Sequence, residues 1–421
     1  MTSGFFSLPR VNRASDGWSS RSLRSMLVAR SERNRADLPL LTVARERGVF
    51  VRSVDDANHN TIPEDLSNYK VAHAGDLVIN KMKAWQGSLG LAPVDGIVSP
   101  AYFVFAADFA VPRFGEYLLR SKPYVAKFGA ASDGVRIGQW DLNIPRMRNI
   151  EVLLPPAKEQ AAIVRYLAHA NARIDKAIVA KRRLIALLEE QRDVTVRAIL
   201  SRGLDSRPPS KLVATGRLCR IDTGVEDSGN AEPSGKYPFF VRGREVLRAS
   251  DYHFDAEAVL TPGDGQGGTG KVFHYYNGKF QAHQRVYVFS QFSGIIARYF
   301  YWYMTAFFRE HALAQSNTVT MESLRRPVLA SFRVAVHDED VQRMLVERIE
   351  ARVADTAQVI EKTRREITLL HEFRTRLVAD VVTGQVDVRS IVATLPDAPE
   401  ATAELAADSD DEFGDLQEEG L

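Results

Sequence analysis

Residues 157–204 read AKEQAAIVRYLAHANARIDKAIVAKRRLIALLEEQRDVTVRAILSRGL. Apolar side chains recur at intervals of three and four: Ile163, Leu167, Ala170, Ile174, Ile178, Leu184, Ile185 and Leu188. Charged residues fill the remaining face. That periodicity predicts an α-helix with one apolar stripe. Pro155 and Pro156 stand ahead of it and Gly203 stands at its end, the expected start and stop signals. Roughly 45 residues at 1.5 Å each give a rod about 65 Å long. A stripe of that length exceeds what one small domain covers, so a coiled-coil arm or a long packing helix is expected.

The chain says this stretch twice. Laid over the chain with Gln160 on Gln342, it falls without a gap on a second such stretch, Asp340 to Asp387, the register being 158–205 on 340–387. LLEEQR at 187–192 falls on LLHEFR at 369–374. Ile178 meets Ile360, Arg182-Arg183 meet Arg364-Arg365 and Arg192 meets Arg374. Any two helices share leucines and isoleucines; polar identities in register indicate duplication. The module reads as globular part, long helix, globular part, long helix. The simplest burial for each stripe is against its twin. The predicted seam holds Leu167, Ile174, Ile178, Ile185 and Leu188 on the first helix, and Ile349, Val353, Ile360, Ile367 and Leu370 on the second. An antiparallel pair would carry one head at each end, related by a pseudo-two-fold axis.

The expected class is therefore α+β. The boundaries read as a first domain at 1–156, a helix at 157–206, a second domain at 207–337 and a helix at 338–389. An acidic tail, read as disordered, covers 390–421. With 421 residues, 45% hydrophobic and 26% charged, the chain is long enough for two or three cores. Its one cysteine, Cys219, excludes an internal disulfide framework and suits a reducing, cytoplasmic setting. No apolar run reaches membrane-spanning length, and MTSGFFSLPR does not read as a signal peptide. The net charge of +2 hides an asymmetry. Beyond Arg389 stand ten acids and no Lys or Arg, which leaves about +12 on residues 1–389. A basic body suits a polyanionic partner, or is a generic solubilising excess.

Between the helices the local patterns alternate. Ser22–Arg30 reads as a short helix, Leu38–Phe50, 75–82 and Ile97–Phe105 as strands, and Gly115–Phe128 as a helix interrupted by Pro123. SDGVRIGQW at 132–140 is a loop, and Ile150–Leu154 a strand. RPPS at 207–210 is a hinge. Tyr237–Arg242 and Ala258–Thr261 read as strands. Asn277-Gly278 reads as a hairpin turn. Residues 295–310 (IIARYFYWYMTAFFRE) form an aromatic helix. Residues 317–336 repeat the closing layout of the first domain.

Motifs for chemistry are sparse. GDGQGGTGKV at 263–272 contains GxxxxGK at Gly265, Gly270 and Lys271, and GxGxxG at Gly265, Gly267 and Gly270. Val272 stands where Ser or Thr would reach magnesium, and strand-like VFHYYNGKF follows where a helix N-terminus would hold phosphates. A nucleotide-using enzyme built on 263–271 is thus the weaker reading. A flexible loop whose amides and Lys271 approach a phosphate is the stronger one. His253, His274 and His283 lack metal-ligand spacing; no metal site and no catalytic residue is predicted. A coiled-coil scaffold with no nucleic-acid role is the other alternative. For DNA contact the candidates are loop residues with cationic, amide or aromatic groups. They are Lys81, Lys83, Trp85, Gln86, Arg136 and Gln139 in the first domain, and Arg242, Arg244, Gln266, Lys271, Asn317 and Thr318 in the second. Each taken singly also reads as a solvated surface residue.

The duplicated PPAKEQAAIVRYLAHANARIDKAI…LLEEQR motif, PRMRNIEVLLPP at 145–156 and GKVFHYYNGKF at 270–280 resemble the specificity subunit of type I restriction-modification systems. The resemblance covers about residues 8–389. VHDEDVQ at 336–342 departs from the PPxxEQ start, and the acidic tail lies outside the pattern. The resemblance implies a non-catalytic subunit binding double-stranded DNA, each head recognising half of a bipartite target. It implies that the helices set the spacing and dock two methyltransferase subunits holding S-adenosylmethionine, which flip and methylate adenine. It also implies restriction and translocase subunits using ATP and Mg. This chain itself would bind no cofactor.

Overall fold

The computed structural model describes residues 17–45, 47–52, 65–134, 140–202, 211–264, 270–315 and 323–396. The first half forms β1 (Ser19–Ser22), α1 (Leu23–Met26), β2 (Leu27–Ala29), β3 (Leu41–Ala44), β4 (Gly48–Val51), β5 (Lys70–Ala72), β6 (Leu77–Asn80), β7 (Leu89–Leu91), β8 (Gly96–Val98) and β9 (Tyr102–Ala107). There follow α2 (Pro112–Arg120), α3 (Lys122–Ala130), β10 (Ser132–Asp133), β11 (Asp141–Leu142), α4 (Ile144–Arg148), β12 (Glu151–Leu154) and α5 (Ala157–Arg202). The second half forms β13 (Lys211–Ala214), β14 (Arg220–Thr223), β15 (Tyr237–Phe240), β16 (Val246–Ala249), β17 (Phe254–Pro262), β18 (His274–Ala282) and β19 (Val286–Ser290). Then come α6 (Ala297–Ala314), α7 (Arg326–Ser331), β20 (Arg333–Val336), α8 (Glu339–Val382) and α9 (Arg389–Val392). The chain divides into two compact units, Met1–Ala180 with Glu366–Gly414, and Lys181–Arg365 with Asp415–Leu421. The division falls within both long helices, after Ala180 in α5 and after Arg365 in α8.

In the first unit the sheet order is β2-β9-β6-β7, with every neighbour antiparallel. Alternation along β6 sends Leu77 and Ile79 into the main core and Val78 into a smaller one with Leu41, Val49 and Val98. The main core also takes Phe114 and Leu118 of α2, Phe128 of α3, Ile163 and Leu167 of α5, and Leu377 and Val381 of α8. Strand β1 pairs with β12, Ser19 opposite Leu154, which ties the start of the unit to the chain entering α5.

The second unit has a six-stranded sheet, β14-β19-β17-β18-β15-β16. Val259 of β17 faces the main core, while Ala258 and Leu260 face a second one with Phe240 and Phe280. The aromatic helix α6 supplies Tyr299, Phe300 and Phe308, each fully buried. Val196 and Leu200 of α5 join Val341, Leu345 and Ile349 of α8 in the same cluster. Strand β13 pairs with β20 just ahead of α8.

The duplication extends through the heads. The antiparallel run β2-β9-β6-β7 has its counterpart in β14-β19-β17-β18. The offset that lays Gln160 on Gln342 also carries the starts of α4, β12 and α5 onto the starts of α7, β20 and α8. With them it carries one polar joint onto another. Gln160 Oε1 accepts the Val111 N–H at 3.1 Å, and its Nε2 donates to Pro155 O at 2.9 Å. Gln342 Oε1 accepts the Ile296 N–H at 2.8 Å, and its Nε2 donates to His337 O at 2.7 Å. Val111 and Ile296 are the cap residues of α2 and α6. Both glutamines are buried, and each satisfies an N–H at the start of a helix.

Several local expectations change. Asn277-Gly278 is no turn: both lie inside β18, paired with Glu257 and Ala256 of β17. The long β17–β18 ladder outweighs a two-residue turn signal, and the hairpin closes instead through residues 263–273. Ser22–Arg30 is helical only over Leu23–Met26, because Leu27–Ala29 pairs with β9. The helix expected over Gly115–Phe128 is interrupted at Ser121, between α2 and α3, and Pro123 stands in the first turn of α3, where its missing N–H costs nothing. Within the predicted seam, Ile174, Ile178 and Ile360 are buried, whereas Ile185, Leu188, Ile367 and Leu370 are half-buried. Leu167, Ile349 and Val353 belong to the cores of the heads. Order continues past Arg389: Val392 is buried and Leu395 packs on the first core. Gly203, the hinge at 207–210 and residues 397–421 lie outside the described residues.

Candidate nucleic-acid interface

In the first unit, β6 leads into the connection 81–88. Asn80 Oδ1 accepts the N–H groups of Met82 at 3.0 Å and Lys83 at 3.2 Å, which starts a tight turn. A short 3-10 turn follows at Ala84–Gln86, closed by Gly87 with φ +88°. Trp85 Nε1 donates to Met82 O at 3.1 Å. A second loop comes alongside. Leu142 N–H donates to Lys81 O at 3.0 Å, Lys81 Nζ pairs with Asp141 at 2.6 Å, and the Trp85 and Trp140 rings stand 5.2 Å apart. Asp133 bonds Asn143 and Arg146, which anchors the other foot of that loop. The loop's middle, with Arg136 and Gln139, lies outside the described residues. Lys83 is exposed and Met82 is 44% exposed, while Trp85 and Gln86 are half-buried.

The second unit presents the corresponding pair. Strands β17 and β18 correspond to β6 and β7, so the glycine-rich segment after Pro262 corresponds to the connection 81–88. Leu324 N–H donates to Gly263 O at 2.6 Å, and Asp264 bridges to Ser323. The first of these bonds is the Leu142–Lys81 bond with both partners moved by the offset that relates the two glutamines. Tyr287 Oη donates to Leu324 O at 3.1 Å, and Asp264 pairs with Arg285. Gln266 of one loop, and Asn317 and Thr318 of the other, lie outside the described residues. Lys271 is exposed, Val272 is buried, and β18 follows. No helix N-terminus therefore stands behind Gly270-Lys271.

Arg242 and Arg244 stand on the connection between β15 and β16, strands without a counterpart in the first sheet. Gly243 O accepts from His274 Nε2 at 3.1 Å, and burial holds the His274 pKa below its ordinary value. Arg242 and Arg244 are both exposed. Arg244 pairs with Glu189 of α5 at 2.6 Å, and Arg364 of α8 reaches the same carboxylate at 2.9 Å. Arg244 thus serves as a brace between a head loop and a helix. Sequence reasoning missed this, as it missed Trp140 and Met82. Trp140 had a signal, being a tryptophan at the end of a loop already singled out.

Other chemistry finds little support here. Burial pushes the Cys219 thiol up to about 12, far from a thiolate nucleophile. Among the described residues no group of three or more His, Cys, Asp and Glu could hold a metal ion. No described helix is long and apolar enough to cross a membrane.

The fold defines a duplicated α+β chain in which the same two connections meet at their described ends in each unit. No protein-family model matches the chain. It is similar to the Type I restriction enzyme EcoDI specificity subunit of Escherichia coli, 26% identical over 175 residues. The match covers 42% of this chain and 38% of that relative, so it spans well under half of either. A solved chain from work on complex assembly and conformational transition of the type I R-M system shares the fold. Its TM-score is 0.53 at 16% identity, over 90% of this chain and 100% of that one. The chain thus resembles one type I restriction enzyme specificity subunit in sequence over part of its length, and shares a fold with a chain solved in work on a type I R-M system.

Proposed function

We propose that this chain is a non-catalytic, sequence-specific DNA-binding subunit of a type I restriction-modification complex, recognising a bipartite double-stranded target. The observation that carries this reading is the repeated loop pair. In each head the described ends of the same two connections are joined by the same backbone bond, and those connections hold most of the cationic, amide and aromatic candidates. In the first head Lys81, Lys83, Trp85 and Gln86 stand beside the loop that carries Arg136 and Gln139. In the second, Gly263, which precedes the segment of Gln266 and Lys271, is bonded to Leu324, which follows that of Asn317 and Thr318. Lysines and arginines neutralise phosphates, amides and Arg read base edges, and tryptophan offers a stacking face.

The helices act as an antiparallel coiled-coil spacer that relates the two heads by a pseudo-two-fold axis. Supporting this are the ion pairs Asp175–Arg374 and Glu189–Arg364, in which rising numbers on α5 meet falling numbers on α8. Buried Ile174, Ile178 and Ile360 point the same way. The helices dock two methyltransferase subunits, which bring S-adenosylmethionine; restriction and translocase subunits bring ATP and Mg. The setting is cytoplasmic.

The test is selection of random duplexes by the complex assembled with its methyltransferase. Two fixed half-sites separated by an unspecified spacer are expected, with affinity falling steeply as salt rises. One contiguous site, or no sequence preference, overturns the reading. Lys83→Ala should weaken all duplexes alike and reduce the salt slope by about 1.

A further inference from the structure

Two consecutive side chains at the start of β18 are each tied to a long helix, one from either face of the sheet. They are His274 and Tyr275, which follow Lys271 after Val272 and Phe273. Successive residues of a strand point to opposite faces. The His274 ring stands 5.3 Å from that of Phe240, in the smaller core, and Tyr275 packs against the main one. His274 Nε2 donates to Gly243 O at 3.1 Å. The next residue, Arg244, pairs with Glu189 of α5 at 2.6 Å, the carboxylate that Arg364 of α8 also reaches. On the other face, Arg298 of α6 lies over the Tyr275 ring at 4.4 Å and pairs with Glu350 of α8 at 2.5 Å. Tyr275 Oη donates to Glu257 of β17 at 2.6 Å. Burial, with that carboxylate beside it, pushes the phenol up to about 12 and keeps it a donor. All of these residues belong to the second unit. The first unit repeats neither helix carboxylate. The offset that lays Gln160 on Gln342 puts Ala168 at the place of Glu350 and His371 at that of Glu189.

Taking the connection 263–273 as the DNA contact proposed for it, we infer that Glu189 and Glu350 are positioning residues. They hold the start of β18, and with it the connection that carries Lys271, in one register against the helix segments of the second unit. The Arg298 and Glu350 side chains are 36% and 41% exposed, so their pair adds little to stability. Its effect is directional: Glu350 fixes the guanidinium that covers Tyr275, as Glu189 fixes the loop that receives His274. A contact loop is only as precise as the residues that support it. The base preference of the second head therefore depends on two carboxylates placed on the helices rather than in the loops, and that of the first head does not.

The test titrates the complex assembled with its methyltransferase against the selected target and against duplexes with one base pair changed in either half. The second head's half is the one that an exchange of residues 1–150 leaves unchanged. An exposed pair shifts an equilibrium by up to about fivefold. Glu189→Ala or Glu350→Ala should thus lower discrimination in the second half by roughly two- to fivefold, and the double variant by about tenfold. Discrimination in the first half should stay at the parental value, which a misfolded chain would not retain. Glu350→Gln keeps an acceptor for Arg298 Nε and should recover most of the loss. Loss in both halves together would make the glutamates general stabilisers and overturn the inference. Discrimination unchanged in both halves would overturn it as well. A parent complex without preference in either half would overturn the DNA-recognition reading and this inference with it.

Discussion

Gln342→Leu isolates the joint on which the duplicated architecture turns. Leucine keeps nearly the volume of glutamine, so packing survives while two short bonds are lost, together with a longer one from Nε2 to Gly294 O at 3.4 Å. The Ile296 N–H loses its acceptor at 2.8 Å and His337 O its donor at 2.7 Å. A polar group left unpaired away from water costs about 1–3 kcal/mol. Ile296 is only half-buried, so a sum of about 2–4 kcal/mol is expected from that range. For a unit of about 200 residues, each kcal/mol moves the melting point by about 2–4 °C. A drop of roughly 4–16 °C should then appear in circular-dichroism melts of the second unit's transition. Gln160→Leu should produce a loss of the same order in the first unit, because its two bonds are the same bonds. Gln358→Leu, at an exposed position of α8, should stay within about 0.5 kcal/mol. Losses below about 0.5 kcal/mol in both buried variants would refute the reasoning, since that is the scatter of ordinary surface changes.

Three further outcomes follow from the same geometry. Ile178→Asp puts a carboxylate at a 4% exposed position and should destabilise by several kcal/mol, whereas Leu184→Asp, at 43% exposed, should be nearly neutral in the same denaturant titration. His73 bonds Glu32 at 3.1 Å and then Asp95, which raises its pKa, while burial lowers that of His274. The stabilisation linked to His73 is complete below about 6.5 and lost as pH rises through the raised value; that linked to His274 is present above about 6.5 and lost as pH falls. NMR titration of the two rings should show midpoints on opposite sides of 6.5, and the reverse order would contradict the bonding described. Seven residues inserted at matching points of α5 and α8 add about 10 Å of helix, near three base pairs, with little rotation. Methylation mapping should then report a correspondingly longer spacer, and an unchanged one would remove the spacer role.

The long helices were legible because their signal is local: an apolar stripe at 3.6-residue spacing and polar identities such as Gln160 and Gln342 in register. The offset between those two glutamines reached further than the helices, to the starts of β12 and β20 and of α4 and α7. What stayed hidden depends on contacts distant in the chain. Arg244 read as a loop cation until Glu189 captured it. Asn277-Gly278 read as a turn because the competing partner, β17, lies outside any short window. The candidate loops were singled out one at a time. Their pairing rests on Leu142 to Lys81 and Leu324 to Gly263, bonds between residues far apart in sequence that no short pattern encodes. The half-burial of Ile185 and Leu370 was invisible for the same reason, since periodicity marks a face but not what covers it.

The most direct test of two independent recognition heads is an exchange of residues 1–150 for the matching segment of a relative with another target. The chimera is co-expressed with the methyltransferase subunits and the methylated adenines are mapped. One half of the bipartite target should change, while the other half and the spacer stay as they were. A change in both halves, or in neither, would contradict the account.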